Sequence, residues 1–177
     1  MKKYEFTGET KEIRLLFRTA TLHRIRATVA FGIVEVGDLG GWIEKEENLS
    51  HEGKAWVWGN AEVCGDAKVW GNAEVCGDAE VWGNAKVWGN AEVFSASHVL
   101  VIGAIGSRNG FTTFYRDKDN EITVKCGCFL GKIDRFLEKV TQTHGDSKYA
   151  LVYRAAVEVA KLQIDLSGEA PKDADEE

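Results

Sequence analysis

Residues 55–96 read AWVWGN AEVCGD AKVWGN AEVCGD AEVWGN AKVWGN AEVFSA, which is seven consecutive six-residue units. Each unit carries a Val two residues after its first Ala, and every unit but the last ends in Gly-Asn or Gly-Asp. An internal repeat constrains a fold more than any other pattern, because each unit adopts the same local structure and buries its apolar face against its neighbours. This stretch, called the repeat segment below, therefore decides the architecture.

Each unit of the repeat segment fits a short strand followed by a turn. Residues two apart on a strand share a face, so Ala and Val point inward together while Glu or Lys and Trp or Cys point outward. Gly, Asn and Asp tolerate the left-handed backbone that a corner requires. The units therefore stack into a β-solenoid.

The repeat segment resembles the hexapeptide-repeat family, whose chains fold as a left-handed parallel β-helix with three units in each triangular coil of about 18 residues. The resemblance implies a mainly β fold and, because trimers are common in that family, a homotrimer. We divide the chain into an N-terminal β cap at 1–52, the β-helix at 53–97, a small C-terminal α+β domain at 98–166 and an acidic tail at 167–177.

One detail of the repeat segment argues against coils of that length. They place Glu62 over Glu80 and Lys68 over Lys86, and stacked like charges are mildly destabilising. The sequence itself alternates with a period of two units. A flat, two-sided solenoid with that period, which would stack Trp58, Trp70 and Trp82, stays open as the alternative.

The outward position after each Val carries large apolar side chains that need a cover. Each Trp offers roughly 150 to 250 Å² of surface, and together they exceed the apolar patch that a monomer usually exposes. We expect a subunit interface there, with packing under the flanking segments as the alternative. The predicted interface residues are Trp58, Trp70, Trp82 and Trp88.

The flanking segments show strand and helix patterns of their own. In the cap we expect strands at 13–17 and 21–31. After the repeat segment, three antiparallel strands are predicted, then two helices whose inward residues include Tyr149, Val152, Tyr153 and Ala156. The predicted ranges are strands at 98–104, 111–116 and 121–126, and helices from 133 to about 144 and from 148 to about 164.

Composition excludes several functional classes. The 22 Lys+Arg and 28 Asp+Glu give a net charge of −6, which argues against a protein that binds duplex nucleic acid. No stretch approaches the roughly 18 apolar residues of a membrane span, and no leader sequence follows Met1, so we expect a cytoplasmic protein without membrane contact. The Cys126–Cys128 spacing does not fit a zinc site, so neither metal nor cofactor is expected.

The same family includes acyltransferases, in which a His beside the prism acts as general base. In this chain the repeat segment contains no His and no inserted loop. His51 and His98 border it, and both are expected as surface residues at outward positions. We therefore predict no catalytic residue, and acyl transfer stays as the enzymatic alternative.

Two polar segments after the repeat segment suggest a ligand site. Ser107, Arg108 and Asn109 form a glycine-rich turn whose backbone N–H groups and guanidinium suit phosphate oxygens, although Asn-Gly is also an ordinary hairpin turn. His144, Lys148 and Tyr149 surround the start of the second predicted helix, where exposed N–H groups favour anions. If the two segments meet, they form a site for a small nucleotide.

Most of the chain also resembles small hexapeptide-repeat proteins of bacteriophages and prophages, some of them labelled transferases. The stretches that match are GDLGGWIEKEENLSHEG, the repeat units, IGSRNG, GCFLG and THGDS. By analogy with phage proteins that hold nucleotide signals of bacterial defence, we expect a non-catalytic sponge in the host cytoplasm for a cyclic nucleotide or an ADP-ribose derivative. A structural or protein-interaction module is the second alternative.

Overall fold

A computed structural model describes residues 2–15 and 17–167. Strands predominate, and two helices lie near the C-terminus. The predicted acidic tail lies outside the described residues except for Ser167. Among the described residues, no helix has the length and apolarity needed to cross a membrane.

Three antiparallel strands cover the beginning of the repeat segment: β1 (Tyr4–Arg14), β2 (Thr19–Ala27) and β3 (Leu39–Ile43). The prediction of a first strand at 13–17 was wrong, since β1 begins nine residues earlier. The reason is that β1 exposes most residues on both faces, so no alternation of apolar and polar residues marks it. β3 then pairs in parallel with the repeat segment, Trp42 beside Glu62.

The seven units each contribute a two-residue strand in which Val is fully buried. The strands are β4 (Trp56–Val57), β5 (Glu62–Val63), β6 (Lys68–Val69), β7 (Glu74–Val75), β8 (Glu80–Val81), β9 (Lys86–Val87) and β10 (Glu92–Val93). They join three parallel sheets, ordered β3-β5-β8, β4-β7-β10 and β6-β9. Each sheet supplies one side of a shared Ala and Val core.

The register of these sheets settles the period of the repeat. Glu62 pairs with Glu80 and Lys68 with Lys86, so the strands that stack are 18 residues apart. The flat alternative, which stacks every second unit, is wrong. Burial of one Val side chain contributes up to about 3 kcal/mol. The burial of all the Ala and Val side chains therefore outweighs the repulsion between stacked like charges, which is below about 1 kcal/mol per pair.

After the repeat segment come four antiparallel strands and two helices. The elements are β11 (Val99–Ile105), β12 (Gly110–Arg116), β13 (Ile122–Cys126), β14 (Phe129–Lys132), α1 (Ile133–His144) and α2 (Lys148–Gln163). The three predicted strands and both helices are confirmed, and β14 was missed. Gly145 ends α1 with φ 56°, and its N–H donates to the Thr141 carbonyl, as its position in the sequence predicts.

β12 joins the two hydrophobic cores of the molecule. Phe114 belongs to the core under α1 and α2, whereas its neighbour Tyr115 belongs to the core of the repeat segment. Successive residues of a strand point to opposite faces, so β12 contributes to both cores, as does β11, whose Val99 packs against the first core and Leu100 against the second. The Tyr115 hydroxyl donates to the Trp88 carbonyl at 2.8 Å, and the Lys86 N–H donates to Thr113 Oγ1 at 2.9 Å.

Candidate functional site

Two stacked lysines form one wall of a cleft beside the repeat segment. Lys68 and Lys86 occupy the same position on the neighbouring strands β6 and β9, so their side chains leave one face of the sheet. Trp70 and Trp88 follow two residues later in each unit, with ring centroids 4.9 Å apart and planes tilted by 58°. The ammonium of Lys68 lies 5.4 Å from the centroid of Trp70.

A third lysine comes from the C-terminal sheet. Lys125 lies on β13 opposite Thr113 of β12 and therefore on the face of that sheet that meets the repeat segment. Its ammonium lies 4.6 Å from the ring centroid of Trp88 and donates to the Gly127 carbonyl at 2.8 Å. Lys125 is only 8% exposed, so these contacts hold its ammonium between the C-terminal sheet and the repeat segment.

These three lysines, with Trp70, Trp88 and Gly127, line a cavity of about 190 Å³, called the lysine cleft below. Burial lowers the pKa of Lys125, and the neighbouring charge of Lys86 lowers it further. Among the described residues, none of the three forms an ion pair with a carboxylate. The cleft is a concentration of positive charge in a chain whose net charge is −6.

A stack of two glutamates on another face of the repeat segment differs from the lysine stack in having an ion-pair partner. Glu62 and Glu80 also pair in register, but Lys11 of β1 forms an ion pair with Glu62 at 2.8 Å. The cap thus neutralises part of the glutamate stack, whereas no described carboxylate reaches the lysine stack. An anion from solution is the partner that would lower the repulsion among Lys68, Lys86 and Lys125.

Both predicted ligand segments lie next to Tyr153 of α2. The turn of Ser107, Arg108 and Asn109 approaches Tyr153 so closely that a Cβ on Gly106 would collide with its hydroxyl. His144 stacks on the same ring, with centroids 5.8 Å apart and planes 29° apart. Burial raises the pKa of Tyr153 to about 12, and the positive charge of Arg108 opposes that rise.

A shared neighbour does not by itself make an open site of these two segments. His144 is flanked by Tyr153 and by Tyr149, whose centroid lies 5.9 Å away, so its ring packs against protein. The Lys148 ammonium lies 5.3 Å from the centroid of Tyr149. Ser107, Arg108, Asn109 and Lys148 are exposed, and the ligand role of this cluster stays a prediction. Val152 was predicted inward and is 40% exposed, because the α2 core follows Ala150, Tyr153, Val157 and Ala160 instead.

A larger cavity of about 430 Å³ lies between the β1–β2 hairpin and the repeat segment. Arg18 makes two hydrogen bonds to Glu44, at 2.5 and 2.8 Å, so its charge is already paired. Burial raises the pKa of the Cys64 thiol there to about 11, and a thiol with that pKa is a poor nucleophile at neutral pH. Trp82, at 39% exposed, lines the same cavity.

The outward indoles differ in how much surface they leave open. Trp58 packs against the core and lies edge-on to Trp56, while Trp70 and Trp88 cover each other and Lys125 covers Trp88. All three are half-buried within one chain. Trp82 is the exposed one among the four predicted interface residues.

Both histidines that border the repeat segment accept a backbone hydrogen bond at Nδ1. His51 Nδ1 accepts from the Lys3 N–H at 3.1 Å and its ring stacks on Tyr4, 4.3 Å between centroids. His98 Nδ1 accepts from the Phe94 N–H at 3.3 Å. The expectation that His98 is a surface residue was wrong, since it is 3% exposed beneath Arg116 and Phe94.

Two comparisons with known proteins supply no relative for the chain. A scan against protein-family models finds no match, and a search among curated proteins finds none. The geometry of the lysine cleft is therefore the basis on which a function is proposed.

Proposed function

We propose that the protein is a non-catalytic binding protein for a phosphate-bearing small molecule, and that the phosphoryl groups enter the lysine cleft. The observation that carries the proposal is the stack of Lys68 and Lys86 with Lys125 beside it, without a described carboxylate partner. Like charges held together in one cavity destabilise the empty protein. A bound polyanion removes that cost and forms charge-assisted hydrogen bonds to three ammonium groups.

The chemistry of the lining residues favours capture over conversion. Three lysines, two tryptophans and a glycine supply cations and apolar walls, and lysine is the one residue type among them that can act as a base or nucleophile, which it does only when deprotonated. The cavity of about 190 Å³ is smaller than the roughly 300 to 1,000 Å³ of typical drug-sized sites. The phosphoryl part of a nucleotide fits this description, with the rest of the ligand lying outside.

The resemblance to phage hexapeptide-repeat proteins supports one biological reading of this capture. We propose that the ligand is a nucleotide signal of bacterial defence, a cyclic nucleotide or an ADP-ribose derivative, and that binding keeps it from its receptor. A sponge of this kind needs affinity and no turnover. Ligand recovered unchanged after release supports sequestration, whereas a chemically altered ligand contradicts it.

Thermal unfolding with added ligand tests the site. We expect inorganic pyrophosphate or ADP-ribose at a concentration of 100 times Kd to stabilise the chain by about 2.7 kcal/mol, which raises Tm by roughly 5 to 10 °C for a chain of this size. Lys86→Gln removes one exposed cation of the cleft and should abolish most of this shift. Lys139→Gln, on the exposed face of α1, is the matched control and should keep it.

Two outcomes of this experiment oppose the proposal. An equal Tm shift in the wild-type protein and in Lys86→Gln places the ligand elsewhere, with the predicted cluster of Arg108 and His144 as the next location to examine. If no phosphate-bearing ligand shifts Tm, the proposed function is wrong.

We further propose that the three sheets of the repeat segment wind as one left-handed parallel β-helix and that three copies associate. The 18-residue register supports the coil, since three units per turn is what the family resemblance implies. Trp82, exposed beside the larger cavity, supports an interface on that side of the repeat segment. Sedimentation equilibrium measures the oligomeric state directly, and a stable monomer contradicts the trimer.

A protein-interaction module is the second candidate, and the outward face of α2 favours it. Leu151, Val152, Val159 and Leu162 are 40% to 90% exposed and recur at the spacing of one helix face. If the lysine cleft binds no anion while sedimentation shows assembly that Leu162→Glu abolishes, this second function replaces the first.

A further inference from the structure

The lysine cleft presents more positive charge than a single phosphate diester can neutralise. Its three ammonium groups have no described carboxylate partner. A cyclic mononucleotide carries one negative charge on its phosphodiester, whereas two phosphoryl groups joined by a bridging oxygen carry two or three. Because leaving a partly buried charge unpaired costs free energy, the cleft matches the ligand with the larger charge.

The arrangement of the three lysines also matches two phosphoryl groups side by side. Lys68 and Lys86 stand on adjacent strands in register, which puts their backbones about 4.8 Å apart. Bonded phosphoryl groups share one oxygen, so their outer oxygens can each face one of these lysines. Lys125 on the opposing wall, held by the Gly127 carbonyl and the Trp88 ring, then faces the bridge between them.

The two indole rings inside the cleft already contact lysine ammonium groups and each other. The Lys68 ammonium lies over Trp70, the Lys125 ammonium lies over Trp88, and the two indoles contact each other. A base that entered the cleft would have to displace these cations from the rings. The cleft therefore recognises the charge of the phosphoryl groups, and stacking on a base contributes little to its specificity.

We infer that the ligand of the lysine cleft contains a pyrophosphate group, so that linear diphosphate compounds bind more tightly than cyclic mononucleotides. This inference rests on the proposed function and narrows it to one of its two ligand classes. Among nucleotide signals, it selects ADP-ribose derivatives and nucleoside diphosphates and disfavours cyclic mononucleotides. It also implies that the identity of the base matters little.

Isothermal titration of the full chain with four probes tests the inference: pyrophosphate, ADP-ribose, AMP and cyclic AMP. We expect the two pyrophosphate compounds to bind at least about tenfold more tightly than cyclic AMP, the effect of one additional charge-assisted hydrogen bond. Equal or tighter binding of AMP or cyclic AMP overturns the inference but keeps the proposed function. Failure of all four probes to bind overturns the proposed function as well.

A single-charge variant tests whether the stacked lysines cause the preference. Lys68→Gln leaves Lys86 and Lys125 in the cleft, so we expect the ratio of pyrophosphate affinity to AMP affinity to fall by about tenfold or more. Lys139→Gln, on the exposed face of α1, should leave the ratio unchanged. If Lys68→Gln weakens both probes by the same factor, the lysines supply general attraction only and the pyrophosphate assignment is wrong.

Discussion

At the scale of single residues, Glu44 links the cap to the repeat segment and gives the fold a defined response to acid. One carboxylate accepts two hydrogen bonds from Arg18 and one from the Gly65 N–H at 2.7 Å. The hydrogen bond from Arg18, followed by that from Gly65, lowers the pKa of Glu44 from 4.5 to about 2 against the opposing effect of burial. Its side chain is 21% exposed.

The lowered pKa sets the sign and the range of the pH effect. Since the folded state binds this proton less readily than the unfolded state, the stabilisation is present above pH 4.5 and is lost as pH falls toward 2. We expect Glu44→Gln to be about 1.5 to 3 kcal/mol less stable than the wild type at pH 6. Urea unfolding at several pH values should show this difference shrink toward zero near pH 2, and a constant difference contradicts the role of the charge.

The sequence predicts the stacked lysines of the lysine cleft but not the contribution of Lys125. The repeat places Lys68 over Lys86, and the sequence therefore predicts their stacking as a destabilising feature. Lys125 follows on a separate strand whose contact with Trp88 depends on how two sheets meet, and no periodicity links it to the repeat segment. A lysine between Val124 and Cys126 on a predicted strand is the one local signal that points to it.

At the scale of the elements, close stacking of turns limits what the corners of the repeat tolerate. Gly53 has φ +71°, and a Cβ there would lie 2.5 Å from the Gly71 carbonyl oxygen of the next coil. That oxygen accepts hydrogen bonds from the N–H groups of Lys54 and Ala55. A side chain at Gly53 must therefore push two hydrogen-bonded turns apart.

Two alanine variants separate this clash from backbone strain. Gly59 also has a positive φ, +54°, but a Cβ there meets nothing within 4 Å. We expect Gly59→Ala to cost about 1 to 2 kcal/mol for the left-handed backbone alone, and Gly53→Ala to cost roughly 1 to 3 kcal/mol more. Chemical denaturation compares them, and equal losses of stability would mean that stacking of the turns is loose.

The elements themselves divide into those with a sequence period and those without one. The seven repeat strands are predicted by apolar residues that recur two positions apart. Both helices are predicted by apolar residues that recur three and four positions apart. β1 escaped prediction because a strand with both faces exposed carries no alternation. β14 escaped because its four residues, FLGK, are too short for any period to show.

At the scale of the whole molecule, β12 places the fully buried rings of Phe114 and Tyr115 in the two hydrophobic cores, and we expect it to couple their unfolding. Tyr115 is fully buried in the core of the repeat segment, although β12 itself belongs to the C-terminal sheet. The junction is reinforced by the Lys118 N–H, which donates to the Asn90 carbonyl at 3.0 Å. The lysine cleft spans this same junction, so ligand binding and the coupling of the cores share one set of contacts.

The distribution of chromophores makes this coupling measurable. All six Trp lie between residues 42 and 88, whereas both helices follow residue 132. Tryptophan fluorescence therefore reports on the cap and the repeat segment, and circular dichroism at the helical band reports on α1 and α2. We expect the two thermal transitions of the wild-type protein to coincide.

Tyr115→Ala should separate the two transitions. Removing the ring leaves a cavity at the junction and costs about 3 to 5 kcal/mol, most of it in the contact between the cores. Tyr115→Phe, which loses only the hydrogen bond to the Trp88 carbonyl, should cost about 1 kcal/mol and keep the transitions coincident. If Tyr115→Ala still unfolds in a single step by both probes, β12 is not the element that couples the cores, and contacts such as Lys118 with Asn90 hold them together instead.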